Sequence, residues 1–420
     1  MGRDDPFPTT TDPGRTTAER TLKIDFVSEH ASPLASPGGP DTGGQNVHVR
    51  ELAGALSAQG HDVTVWTRRD AETLPAIVIA ESGVRVRHLD AGPARPVPKD
   101  QLVPYVPAMA DALRAAWAED PPDVAHGHFW MSGLAVVSAA RGLGVATVQT
   151  FHALGTVKRR HQGPDDTSPD GRIGAERAVA RTVDGVIATC SDEMFELARM
   201  GAPRRRISVV PCGVDTTAFS PDGPQLARSG RPRLVVLGRL VRRKGVDEAV
   251  AAIAGVPNAE LVVAGGAGPD DPDVARLRRL AAARGVLDRV EFIGPVERAD
   301  VPALLRSADA VVCVPWYEPF GMVPLEAMAC GRPVVASAVG GLVDTVVDGV
   351  TGVLVPPRRP RELAGTLRRL LGSSMLDAYG VAGRDRAVAR YGWDRISAAT
   401  AEVYARVACA AGRPVAEAMQ

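Results

Sequence analysis

An α/β fold of two doubly wound parallel sheets facing a central cleft is predicted by three observations. The chain has 420 residues, more than one hydrophobic core usually organises. Short apolar, β-branched runs alternate with helical stretches through both halves, the rhythm of strand–helix–strand crossovers. A Pro-, Gly- and Arg-rich segment at 221–232 separates the halves, and a fresh strand begins directly behind it.

Taken in order, 22–28 reads as the first strand, and the loop 33–44 leads into a helix with Val47, Leu52, Ala55 and Leu56 at helical spacing. Strands at 62–66, 84–89, 123–126 and 145–150 follow, with a helix at 105–117 between them. They make up a first domain over 21–218. Its leader, 1–20, is rich in Thr, Asp, Pro and Arg and lacks the apolar centre of a signal peptide, so it is expected to be disordered. After a linker at 219–232, strands at 234–237, 260–264, 290–293, 310–314 and 333–336 and a helix at 275–283 define a second domain over 233–390. The last helix carries Ile396, Ala399, Val403 and Val407 on one face. A segment at 391–410 is therefore expected to pack back towards the first domain, with 411–420 as a tail.

Lys+Arg and Asp+Glu both number 49, and zero net charge argues against a surface field tuned to nucleic acid. No apolar run approaches the roughly 18 residues that span a bilayer, so no stable membrane association is expected. The five cysteines are dispersed and show no CxxC pair, which fits a reducing cytoplasm better than a disulfide framework or a zinc site. Only Lys23, Lys99, Lys158 and Lys244 are lysines, an arginine bias of the kind GC-rich coding produces. That scarcity makes a lysine inside a Gly-containing turn informative.

Ligands of facing doubly wound sheets bind beyond the carboxyl ends of the strands, and the chemical motifs stand there. Glu318-Pro-Phe320-Gly321-Met322-Val323-Pro-Leu-Glu326 follows the strand 310–314 and opens a helix. The free N–H groups and dipole of that helix start suit a phosphate, and the two carboxylates suit sugar hydroxyls. An acidic turn that only complements the dipole is the competing reading. Gly238-Arg239-Leu-Val-Arg-Arg-Lys244-Gly245 ends the strand 234–237 and offers two cations over the same cleft. Gly38-Gly-Pro-Asp41-Thr-Gly43-Gly44-Gln-Asn46 follows the first strand; its spacing is not GxGxxG, so a dinucleotide site is poorly supported. His152, in Thr-Phe-His-Ala153-Leu-Gly, ends the strand 145–150 and is a candidate catalytic group, whereas His126 and His128 read as structural. Asp271-Pro-Asp273 has the DxD form of metal-dependent sugar transferases but reads as a helix cap, so no metal is assigned.

These motifs, with Val-Val-Pro-Cys-Gly-Val-Asp215 before the linker and Tyr391-Gly-Trp-Asp near the end, resemble the family-4 retaining glycosyltransferases over about residues 22–407. Pro-Asp-Thr-Gly-Gly-Gln-Asn and Thr-Phe-His-Ala-Leu-Gly are similar to sucrose synthases and to the mycothiol branch of that family. The resemblance implies a GT-B fold of two Rossmann-like domains, no cofactor, no metal, and a UDP-sugar as the donor. It implies that Arg239 and Lys244 hold the diphosphate, that Gly43 and Gly44 approach it from the other domain, and that Glu326 holds ribose. Glu318 holds the sugar beside Phe320, Gly321, Met322 and Val323, and His152 faces the reacting carbon. Retention in such enzymes proceeds with the donor phosphate taking the acceptor proton, so catalysis rests on positioning and charge stabilisation.

The resemblance places the acceptor against Asp41, Asn46, Lys99, Phe129, Ala153 and Arg172. A phosphate pocket of the mycothiol type has hydroxyl side chains where Phe129 and Ala153 stand. The favoured acceptor is therefore a neutral polyol or aminocyclitol, specifically 2-deoxystreptamine receiving N-acetylglucosamine in aminoglycoside antibiotic formation. Inositol phosphate or a sugar phosphate is the alternative. A UDP-sugar epimerase and a non-enzymatic sugar-nucleotide sensor are the competing classes, and a homodimer is allowed.

Overall fold

The computed structural model describes residues 21–35, 43–268 and 270–412. The leader, Asp41 and residues 413–420 of the expected tail lie outside the described residues.

The first half runs β1 (Lys23–Val27), α1 (Gly44–Ala58), β2 (Asp62–Arg68), β3 (Ile77–Ile79), β4 (Arg85–Leu89), α2 (Val106–Glu119), β5 (Val124–His128), α3 (Trp130–Ala139), β6 (Ala146–Thr150), α4 (Gly155–Gln162), α5 (Arg172–Thr182), β7 (Gly185–Ala188), α6 (Ser191–Arg199) and β8 (Ile207–Val209). Its sheet has the order β3-β4-β2-β1-β5-β6-β7-β8 and is parallel except for the β3–β4 pair. The second half runs β9 (Arg233–Leu237), α7 (Val246–Ile253), β10 (Glu260–Ala264), α8 (Pro272–Ala283), β11 (Val290–Gly294), α9 (Val301–Arg306), β12 (Ala310–Cys313), α10 (Met322–Ala329), β13 (Val334–Ser337), α11 (Leu342–Thr345), β14 (Gly352–Val355) and α12 (Pro360–Leu371). Its parallel sheet has the order β11-β10-β9-β12-β13-β14. Helices α13 (Leu376–Tyr391) and α14 (Trp393–Ala410) end the described chain.

Continuous burial along β5, β6 and β7 is what a parallel sheet covered on both faces requires; β7 is apolar or small throughout, while β5 and β6 also bury His126, His128 and Gln149. The chain winds outward in one direction from β1 through β2, then returns to place β5 on the other side. The second sheet does the same at β9 and β12. Each reversal leaves a crevice at the strand ends, and these two crevices face each other.

The sequence reading omitted β3, β7, β8 and β14. β3, β8 and β14 are edge strands and β7 lies next to an edge, and β3 and β8 have only three residues each; runs that short carry little periodicity.

The segment after β8 is pinned to the second domain. Arg306 donates to the carbonyls of Ser220, Asp222 and Pro224 at 2.8–3.1 Å and is buried, so one guanidinium tacks the start of the linker onto the second domain. Helix α14 crosses back to the first domain, where Ile396, Val403, Tyr404 and Val407 join the core formed by β1, β2 and α1.

Candidate active site

Five loops meet at the facing crevices, from β1, β5 and β6 on one side and from β9 and β12 on the other. They enclose a cavity of about 400 Å³ between the domains. Gly43 and Gly44 open α1, and Met322 opens α10 opposite; a Cβ added to Gly44 would lie 3.4 Å from the Met322 sulfur. Two helix N-termini thus approach one point from two domains, each with unpaired N–H groups and a positive dipole end, the setting a diphosphate needs. Arg239, Arg243 and Lys244 line the same region. Lys244 Nζ lies 2.5 Å from Glu318 Oε2, so this expected diphosphate ligand and this expected sugar ligand are direct neighbours. The Lys244 turn depends on Gly245, whose φ is +70° and whose added Cβ would overlap the Val314 carbonyl at 1.9 Å.

Phe320, Gly321, Met322 and Val323 also line the cavity. Glu326 does not. It lies in the second turn of α10, 3% exposed, and its carboxylate pairs with Arg298, which stacks 4.6 Å from the Phe219 ring. Burial raises the Glu326 carboxyl pKa, and Arg298 opposes that rise.

His152 lines the cavity with φ +58°, and Phe129 does so with φ +80° and ψ +158°. The second conformation is nearly confined to glycine and costs on the order of 1–3 kcal/mol. Phe129 directly follows β5 and His152 stands two residues beyond the end of β6. The His152 ring accepts or donates at 3.0 Å to His128 Nδ1. Burial, with His48 and His126 nearby, holds the His152 pKa well below the usual range, so its imidazole is neutral at pH 7.

At the acceptor end, Lys99 and Arg172 lie 5.6 and 5.0 Å from the Phe129 ring centre. Arg172 is buried, paired with Glu176 at 2.7 Å, and donates to the Ala153 carbonyl at 2.6 Å. It therefore braces the His152 loop as well as facing the cavity. Asn46 spends its amide on the loop, accepting from Gly43 N and donating to the Ser32 carbonyl. Asp41 lies outside the described residues.

Sequence reasoning missed His30, Lys158, Arg243 and Tyr317, all of which line the cavity. Lys158 pairs with Asp166 at 3.0 Å. The signal for it was present: three of the four lysines, Lys99, Lys158 and Lys244, line this cavity, while Lys23 pairs with Asp120 elsewhere. The DxD carboxylates serve α8 instead. Asp271 accepts from Asp273 N at 2.8 Å, and Asp273 pairs with Arg276. Cys212 and Cys313 line the cavity, but burial pushes both thiol pKa values up, Cys313 to about 12, which leaves them inert as nucleophiles.

Residues 42–218 match Glycosyltransferase Family 4, and residues 222–385 match Glycosyl transferases group 1. The D-inositol 3-phosphate glycosyltransferase of Xylanimonas cellulosilytica is 39% identical over 405 residues, covering 92% of this chain and 97% of that protein. Its counterpart in Streptomyces bingchenggensis is 36% identical, covering 93% and 90%. The sucrose-phosphate synthase of Thermosynechococcus elongatus superposes with a TM-score of 0.84 at 32% identity, over 92% of this chain and 99% of that one. With two facing parallel sheets and a cationic cleft between them, the chain belongs to the family-4 glycosyltransferases of GT-B fold.

Proposed function

We propose that the chain transfers a sugar from a UDP-sugar, with UDP-N-acetylglucosamine the first donor to test, to a phosphorylated cyclitol of the inositol phosphate class. The observation that carries this reading is the placing of three scarce lysines at two ends of one cavity. Lys244, with Arg239 and the two helix ends, meets the donor diphosphate. Lys99 and Lys158, with Arg172, form a second cationic group suited to an acceptor phosphate. The printed names of the relatives support the same acceptor class. The expected preference for neutral 2-deoxystreptamine draws on the missing hydroxyls at Phe129 and Ala153 and on the GC-rich coding bias, and the names of these two relatives do not support it.

Catalysis on this reading is positioning and charge stabilisation. The single carboxylate of the sequence motif that lines the cavity, Glu318, is engaged by Lys244, which suits binding of sugar hydroxyls and not attack on the anomeric carbon. Retention then follows from transfer on the face of the leaving phosphate. Neutral His152 offers one hydrogen bond to the sugar. Ribose binding by Glu326 requires Arg298 to yield its place. Since cations and helix ends meet the diphosphate charge, transfer is expected to survive EDTA.

Mass spectrometry of products from UDP-sugars paired with inositol phosphate, inositol or 2-deoxystreptamine tests the proposal. A glycosylated inositol phosphate is expected; glycosylation of 2-deoxystreptamine alone would replace this acceptor with the neutral one.

A further inference from the structure

His152 belongs to a cluster whose other two members the transfer reaction does not use. His48 comes from the buried face of α1, His128 ends β5, and His152 follows β6. One ring nitrogen from each lies within 4.8 Å of those of the other two. His128 Nδ1 and His152 Nε2 are 3.0 Å apart. Two further ring nitrogens, His48 Nδ1 and His128 Nε2, are fully buried and have no hydrogen-bond partner among the described residues. An orphaned buried donor or acceptor costs about 1–3 kcal/mol, so two in one cluster call for a ligand. No carboxylate belongs to the cluster, which distinguishes it from the Asp271 and Asp273 loop.

We propose that His48, His128 and His152 form a binding site for a borderline transition cation of the Zn²⁺ type, reached through the cavity, and that occupancy withdraws His152 from the sugar site. Three neutral imidazoles with one open position are a known donor set for Zn²⁺. Tetrahedral ligands at about 2.05 Å from the metal stand about 3.3 Å apart, so the widest separation must close by at most about 1.5 Å from the observed 4.8 Å. Rotation of His48 on α1, whose Nδ1 has no hydrogen-bond partner among the described residues and whose ring lies 5.0 Å from that of His152, would supply that movement. Burial also keeps these rings unprotonated at pH 7, so a metal has no proton to displace. The Phe26 and Trp393 rings, 4.7 Å from His128 and 5.6 Å from His48, close the site on its inner side. The cation site stands on this geometry alone; its inhibitory effect rests on the glycosyl-transfer reading of His152.

The test uses the full chain, freed of metal by EDTA and dialysis. Calorimetric titration with Zn²⁺ and visible spectroscopy with Co²⁺ are run on the wild type, His48→Gln and His48→Ala. One equivalent should bind to the wild type, with the intense absorption of four-coordinate Co²⁺. Both variants should bind at least 10-fold more weakly, and Gln, which keeps the packing volume, covers the case in which Ala fails to fold. Absence of binding to the wild type, or equal binding to a folded His48→Gln, as adventitious capture at exposed Cys409 would give, overturns the site. Zn²⁺ should also inhibit wild-type transfer and spare His48→Gln; a bound cation with undiminished transfer overturns the withdrawal of His152.

Discussion

Lys244 shows how much one residue decides. It is held by a turn that only glycine permits at 245, it faces two helix ends, and it touches Glu318. Hydrogen bonds to charged groups contribute about 1.5–3 kcal/mol each. Lys244→Ala should therefore lower kcat/KM for the donor by roughly 10- to 150-fold, while Lys23→Ala, on its pair with Asp120, should leave it within about 2-fold. Equal effects of the two substitutions would remove Lys244 from the donor site. At this scale Lys244 was legible from its rarity and its place after a strand, and Lys158 was equally rare but lay inside a helix with no motif around it. Glu326 illustrates the opposite limit. Its spacing from Glu318 was plain, yet its pairing depends on Arg298, 28 residues away in the chain, and no local pattern announces such a partner.

Among the elements, strand ends carry the site, and those were readable because buried parallel strands are short, continuous and apolar. The linker was not. Its Pro-, Gly- and Arg-rich composition marks a linker, but the guanidinium that pins it belongs to α9, some 80 residues further on. Arg306→Ala removes three hydrogen bonds to backbone carbonyls and leaves the linker without its anchor. Limited proteolysis should then cleave within 220–232 at least 10-fold faster, with α9 and the second core otherwise intact. An unchanged cleavage rate would show that other contacts, such as that of Leu226 N with the Ala303 carbonyl, are sufficient. Helix α14 was expected to return to the first domain because its apolar face needed a partner. The hydrogen bond from Tyr404 to His126 at its centre, 2.6 Å long, had no sequence signal.

For the whole molecule, the buried histidines 48, 126 and 128 and the half-buried His152 set the response to acid. Burial lowers the pKa of each in the folded chain, that of His48 to about 4, whereas an unfolded histidine takes up its proton near 6.5. Stability from these groups is thus complete above about pH 6.5 and is lost as pH falls, by about 1.4 kcal/mol per pH unit for each histidine. Asp25, raised to about 6, and Glu176, Glu193 and Glu326, also raised, act in the other sense, since the folded chain keeps protons there that the unfolded chain releases. Comparison of two chains cancels that opposing part. Between pH 6.5 and 5, denaturant unfolding should show wild type losing about 2 kcal/mol more stability than His48→Gln; parallel curves would mean that His48 is protonated in the folded state.

The central claim is that the second cationic group in the cleft reads an acceptor phosphate. Two charge-assisted hydrogen bonds at about 1.5–3 kcal/mol each should separate a phosphorylated acceptor from its parent polyol by roughly 10²- to 10⁴-fold. The direct measurement is the ratio of kcat/KM for inositol phosphate to that for inositol with one UDP-sugar. A ratio of about 100 or more is expected, and a ratio at or below one would contradict the account.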